Sequence, residues 1–297
     1  MDFGRVSTAM VTPFGQDGTI DFERTAALIN YLIENGSDSL VVGGTTGESP
    51  TLSNDEKISL FEYTVAIADG RVPVIAGTGS NNTQGTIDLS IKAVQAGVDA
   101  LMLVAPYYSK PSQEGLYQHF AAVADAVDVP IMIYNIPGRS AVNILPETII
   151  KLSLIDNITA VKEASGNLDQ MTDILSNTSN EFLVYSGDDG LTLPLLAIGG
   201  HGVVSVASHI AGNEMQAMIK AFTEGRSQEA ATIHQQLLPL IRALFAQPNP
   251  APVKVALDDK GIACGGLRLP LIPLSLDEKE MVRAAVETFN HQVKLLK

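Results

Sequence analysis

The sequence predicts an α/β fold: a closed (β/α)₈ barrel of the TIM type followed by a C-terminal helical extension. Three observations predict it. Eight short apolar segments recur along the chain, amphipathic segments separate them, and their starts lie roughly 20 to 35 residues apart, the length of one strand plus one helix. A doubly wound open sheet is the alternative, but no GxGxxG follows the first apolar segment, where a dinucleotide-binding sheet would place it.

In chain order the strand candidates are VSTAMV from residue 6, SLVVGG from 39, PVIAGT from 73, DALMLV from 99, PIMIYN from 130, ITAVKE from 158, FLVYSG from 182 and VVSVAS from 203. Near-continuous apolar runs of this length suit strands of a parallel sheet buried on both faces. The helical segments carry their own start and stop signals. Asp21 precedes FERTAALINYLIENG and Ser53 precedes NDEKISLFEYTVAIADG, each a residue whose side chain can cap free backbone N–H groups, and Gly36, Gly70 and Gly97 close helices. From about residue 210 the pattern becomes helix after helix, which is more than an eighth barrel helix requires. The expected division is a barrel domain over 1–225 and a helical region over 226–297 packed on it, with Pro248, Pro250 and Pro252 marking a bend.

Composition narrows the function classes. The chain has 297 residues, 45% of them hydrophobic, and a formal net charge of -14 with the acids spread throughout. Nucleic acid and anionic membrane are poor partners for such a surface. No apolar stretch reaches the roughly 20 residues that span a bilayer, and MDFGRVSTAMVTPF lacks the order of a signal peptide, so a cytoplasmic protein is expected. Cys264 is the single cysteine, beside Gly265 and Gly266, and reads as a small packed residue.

In a barrel of this kind chemistry gathers at the carboxyl ends of the strands. Those ends read GGTTGES, GTGSNN, APYYSKP, YNIPGRS, VKEASGN and SGDDG, with GGHG before the eighth strand. Lys162 stands where a buried strand finishes. In an enclosed, partly apolar site its pKa falls from about 10.4, giving a neutral amine able to attack a carbonyl and form a Schiff base. The alternative is an ion pair with a buried acid such as Asp188. Tyr134, at the end of the neighbouring strand, tips the balance, because a phenol beside such a lysine can carry protons during imine formation. Thr45 and Thr46 lie in a glycine-framed turn whose N–H groups and hydroxyls suit a carboxylate, although a capped turn alone would explain them. Arg139, after Pro137 and Gly138, suits bidentate capture of a carboxylate, with a surface salt bridge as its default. Tyr107 and Tyr108 are rigid aromatics suited to an interface or a lid. The five histidines show no HxH or HExxH spacing, Asp188 and Asp189 read as a helix N-terminus, and neither a Walker A loop nor a GxSxG elbow is present. Carbonyl chemistry through an amine is what remains, without a metal.

GGTTGES, APYYSKPSQEGLYQHF, YNIPGRS, AVKEASGN and SGDD, in this order from about residue 3 to the end, closely resemble the dihydrodipicolinate synthase family of pyruvate-dependent class I aldolases. The resemblance implies a barrel with a C-terminal helical region, a homotetramer of two tight dimers, and condensation of pyruvate with L-aspartate 4-semialdehyde on the route to diaminopimelate and lysine. It implies Lys162 as the Schiff-base residue and Tyr134 as proton donor and acceptor. Thr45 would link Tyr134 to a Tyr108 reaching across the tight dimer. Thr46 would bind the pyruvate carboxylate with Val204 contributing its backbone, Gly187 would line the site, and Arg139 would hold the carboxylate of the semialdehyde. No metal or organic cofactor is implied; the only covalent partner is pyruvate, as an imine on Lys162. Members inhibited by lysine bind it at the dimer interface with histidines and an acid, whereas the matching positions here are Asn54, Lys57 and Gly85, so weak or absent feedback is expected; Asn81 and Tyr107 do match. The nearest rivals are N-acetylneuraminate lyase and keto-deoxy-sugar-acid aldolases, from which Arg139 separates this chain. A non-catalytic barrel that senses a carboxylate and a metal-dependent barrel hydrolase are more distant alternatives.

Overall fold

The structure is a computed structural model and describes residues 2–294. All eight apolar runs are strands: β1 (Val6–Ala9), β2 (Ser39–Val42), β3 (Val74–Gly77), β4 (Ala100–Val104), β5 (Ile131–Asn135), β6 (Ile158–Glu163), β7 (Leu183–Ser186) and β8 (Gly202–Ser205). Each pairs in parallel with its neighbours in chain order, and β1 pairs with β8 to close the barrel. The connections hold α1 (Phe22–Glu34), α2 (Asn54–Ala68), α3 (Thr83–Gln95), α4 (Gln113–Asp125), the short α5 (Pro137–Ser140) and α6 (Pro146–Leu152), then α7 (Leu168–Asn177), α8 (Thr192–Ala197) and α9 (Ser208–Thr223).

The strands read as apolar runs because alternate residues enter different cores. Ala9, Val41, Ile75, Ala100, Met102, Met132 and Ala160 fill the barrel, while Val42, Ala76, Leu101, Leu103, Ile133, Val161 and Val203 face the helical ring. Burying each large aliphatic side chain contributes about 1.5–3 kcal/mol. The floor of the barrel is closed by Phe3 and Tyr185, whose hydroxyl donates to the Gly4 carbonyl at 3.0 Å. Asp21 caps α1 by accepting from the Arg24 N–H, and Ser53 forms a reciprocal capping box with Glu56 at the start of α2. Gly36, Gly70 and Gly97 take the positive φ expected just past a helix end.

Beyond α9 come α10 (Ser227–Leu244), α11 (Ala251–Asp259) and α12 (Leu276–Lys294). The expected final helix extended to residue 297; 295–297 lie outside the described residues. One expectation is corrected: Pro248 and Pro250 lie in the turn after α10, but Pro252 belongs to the first turn of α11, where a missing N–H costs nothing. The segment between α11 and α12 carries Cys264, fully buried, and Arg268, whose guanidinium grips Glu56 on α2. This segment therefore returns the C-terminal region to the barrel mouth.

Candidate active site

Tyr134 and Lys162 are register partners on β5 and β6. Both point into the barrel because they continue the inward parity of Met132 and Ala160. The Lys162 ammonium lies 4.1 Å from the centre of the Tyr134 ring and is 5% exposed. It has no carboxylate within ion-pair distance among the described residues. Burial pushes its pKa down to about 8; the carboxylate of Asp189 pulls upward and the Arg139 charge adds to the depression. Gly187 makes room for the lysine stem, since a Cβ there would sit 3.2 Å from Lys162 Cγ and Cε and 2.6 Å from Ala164 Cβ.

The acids after β7 have separate duties. Asp188 accepts from the Gly190 N–H at 2.8 Å and caps a short 3₁₀ turn, so the alternative ion pair of Lys162 with Asp188 is not formed. Asp189, read from sequence as part of a helix N-terminus, turns inward and is buried. It accepts from the Ser205 hydroxyl and from the Val206 and Ala207 N–H groups, tying the turn after β7 to the end of β8, and burial raises its pKa.

Burial also pushes the Tyr134 phenol up to about 12, against the opposing pull of the Arg139 charge and the Thr45 hydroxyl. It is thus a neutral donor at neutral pH. Thr45, Tyr134 and Arg139 line a cavity of about 290 Å³ that continues past Ser49, Ser80 and Tyr107 to Lys57. Its charged lining residues are both cations, Arg139 and Lys57, as carboxylate recognition requires. Thr46 is buried beside Thr45, and its hydroxyl accepts from Asn249 Nδ2 at 2.9 Å. Val204 is buried on the inward face of β8. Tyr108 is not brought into the cavity of its own chain: its ring is 87% exposed, on a backbone held at φ 73°.

The GGTTGES turn is held from two sides. Gly77 must be glycine, because a Cβ there would lie 2.6 Å from the Gly43 carbonyl oxygen. Glu48, at φ 57°, buries its carboxylate against Lys254 Nζ at 2.8 Å and accepts from the Arg268 N–H at 3.0 Å. Lys254 Nζ also donates to the Gly266 carbonyl at 2.7 Å. On the outer side of β5 and β6, Glu163 accepts from Asn135 Nδ2, Gln170 Nε2 and the Ser165 N–H at 2.9, 3.0 and 2.7 Å, locking the register that pairs Tyr134 with Lys162.

Sequence reasoning missed Asn249, Lys254, Glu163 and the inward role of Asp189. A signal existed at Lys254, which stands in the apolar stretch APVKVAL much as Lys162 stands in ITAVKE. None existed at Asn249, an ordinary residue of a proline-rich turn.

A model of the dihydrodipicolinate synthetase family matches residues 2–289. The chain belongs to this family. It is 61% identical over 279 residues to the 4-hydroxy-tetrahydrodipicolinate synthase of Bacillus velezensis, covering 94% of this chain and 96% of that one. Among solved structures, a dihydrodipicolinate synthase from Bacillus anthracis superposes with a TM-score of 0.96 at 55% identity, over 97% of this chain and 98% of that one. The enzyme from Cyanidioschyzon merolae, solved with lysine bound, superposes with a TM-score of 0.95 at 46% identity, over 97% and 98%. No helix among the described residues is long and apolar enough to cross a membrane.

Proposed function

We infer that the chain has 4-hydroxy-tetrahydrodipicolinate synthase activity, joining pyruvate to L-aspartate 4-semialdehyde. The observation that carries this reading is a buried lysine without an acid partner among the described residues, its pKa lowered to about 8, lying against the ring of a neutral tyrosine at the barrel mouth. Relatives that carry the activity in their names match nearly the whole chain.

In the proposed reaction the neutral Lys162 amine adds to the pyruvate ketone, and Tyr134 passes the proton that lets water leave, giving the imine. Loss of a methyl proton converts the imine to an enamine. The enamine carbon then bonds to the aldehyde carbon of the semialdehyde, whose oxygen takes up a proton and remains as a hydroxyl. The amino group of the semialdehyde portion finally displaces Lys162 by transimination, closing the ring and returning the free lysine. Thr46 is proposed to donate to the pyruvate carboxylate, with Gly187 and Val204 shaping that end, and Arg139 to hold the carboxylate of the semialdehyde. Thr45 is proposed to link Tyr134 to Tyr108 of a second subunit, which gives a purpose to an aromatic ring that its own chain leaves exposed. The proposed assembly is a homotetramer of two tight dimers in the cytoplasm. The chemistry is proposed to need no metal and no organic cofactor.

The test is substrate choice. Turnover with pyruvate and aspartate semialdehyde, together with negligible cleavage of N-acetylneuraminate, is the expected result; the reverse preference would reassign the chain to a sugar-acid aldolase.

A further inference from the structure

We propose that Asn249, in the turn between α10 and α11, is a positioning residue for the keto acid: its amide occupies a lone pair of the Thr46 hydroxyl and thereby commits the hydroxyl proton to the substrate carboxylate. The inference rests on the reading above in which Thr46 binds that carboxylate.

A threonine hydroxyl has one proton to give and two lone pairs to fill. Asn249 Nδ2 can only donate, so Thr46 Oγ1 is the acceptor of the 2.9 Å bond between them. Thr46 makes no other side-chain hydrogen bond among the described residues, so its proton has no competing protein acceptor there. Both residues are buried, Thr46 3% and Asn249 7% exposed, and water does not compete freely for either group. Among the described residues Asn249 Oδ1 is buried without a donor, so the bond to Thr46 is the one side-chain hydrogen bond this amide makes there.

The direction of that bond decides what the site binds. With the amide N–H on Thr46, the hydroxyl presents a proton, which suits an anion. With an acceptor in its place, the hydroxyl would turn its proton toward residue 249 and face the substrate with lone pairs. Two residues further along the turn, Glu48 is held by Lys254 of α11 and by the Arg268 N–H. The C-terminal region therefore grips the turn at both Thr46 and Glu48, and Asn249 is the grip that touches a proposed ligand-binding atom.

The experiment measures the pyruvate dependence of borohydride trapping and of steady-state turnover in the full-length protein. Variants are Asn249→Ala, Asn249→Asp and Thr46→Val, plus Asn249→Ala combined with Thr46→Val, with thermal melting as the folding control. Loss of a hydrogen bond that orients a donor toward a charged group predicts about tenfold weaker pyruvate saturation in Asn249→Ala. The KM for the semialdehyde and kcat should stay near their original values. Asn249→Asp keeps the shape, withdraws the Thr46 proton and adds a like charge, so saturation should weaken further, by about a hundredfold. In the Thr46→Val background, Asn249→Ala should add nothing. Unchanged pyruvate saturation in a folded Asn249 variant would overturn the proposal. An equal loss in the Thr46→Val background would do the same, by making Asn249 merely structural. Should the unaltered protein trap no pyruvate on Lys162, the underlying imine reading fails instead, and the two failures are distinguishable.

Discussion

Lys162 and Tyr134 share one burial and draw opposite consequences from it. Removing both from water favours the neutral form of each, so the amine is brought down to about 8 while the phenol goes up to about 12. The amine is then available as a nucleophile over part of the physiological range, and the phenol keeps its proton throughout. Imine formation should accordingly accelerate with pH along a single limb of apparent pKa near 8 and level off above it. Measuring kcat/KM for pyruvate from pH 6 to 10 checks this, because that ratio reports the free enzyme; a flat profile would contradict a titrating Lys162. At the other end of the cavity, Lys57 is a cation whose pKa burial lowers, and no carboxylate lies among the cavity's described lining residues to receive a second ammonium. L-lysine is therefore expected to inhibit weakly or not at all. Steady-state inhibition in the micromolar range would refute that expectation.

At the scale of elements, the working parts are a turn after β2 and the helices that hold it. Glu48 and Lys254 are both buried and lie 206 positions apart, so each is left uncompensated if the other is removed. Burial lowers the Lys254 pKa and the neighbouring Glu48 carboxylate opposes that fall. Lys254→Met should destabilise the protein by about 3–5 kcal/mol, because it strands a buried carboxylate. The double variant Glu48→Gln, Lys254→Met should recover part of the loss in melting temperature. Equal melting of the two variants would mean the pair carries no coupling. This clamp also marks the limit of what the sequence made legible. The eight strands could be read because burial on both faces leaves a run of apolar residues in every one. Lys162 could be read because a lysine interrupts such a run. The partnership of Glu48 with Lys254 and of Thr46 with Asn249 could not, since these are contacts between distant segments and no local pattern encodes them. The same holds for the two acids of SGDDG, which differ in role only because the turn leaves Asp188 exposed and buries Asp189 against the end of β8.

For the whole molecule, closure of the barrel places polar residues from six strand ends around one mouth and leaves the opposite end sealed by Phe3 and Tyr185. The C-terminal region joins this mouth through Asn249, Lys254 and Arg268, so barrel and extension operate as one unit. Two histidines tie its stability to pH. His209 accepts from the Val11 N–H through Nε2 and faces the Val206 carbonyl through Nδ1, an arrangement that fits the neutral ring, and burial brings its pKa down to about 4. Burial does the same to His119. Between pH 6.5 and 4 the unfolded chain binds protons that the folded chain refuses, so stability should hold above that window and fall as pH drops through it. Urea unfolding at steps across the window checks the slope, and His209→Gln should reduce it.

The central claim is that one neutral amine captures a keto acid, and borohydride reduction in the presence of pyruvate followed by peptide mass mapping tests it most directly. A stable adduct confined to the peptide bearing Lys162, and absent from Lys162→Ala, is the predicted result. An adduct on another lysine, or undiminished condensation by Lys162→Ala, would contradict it.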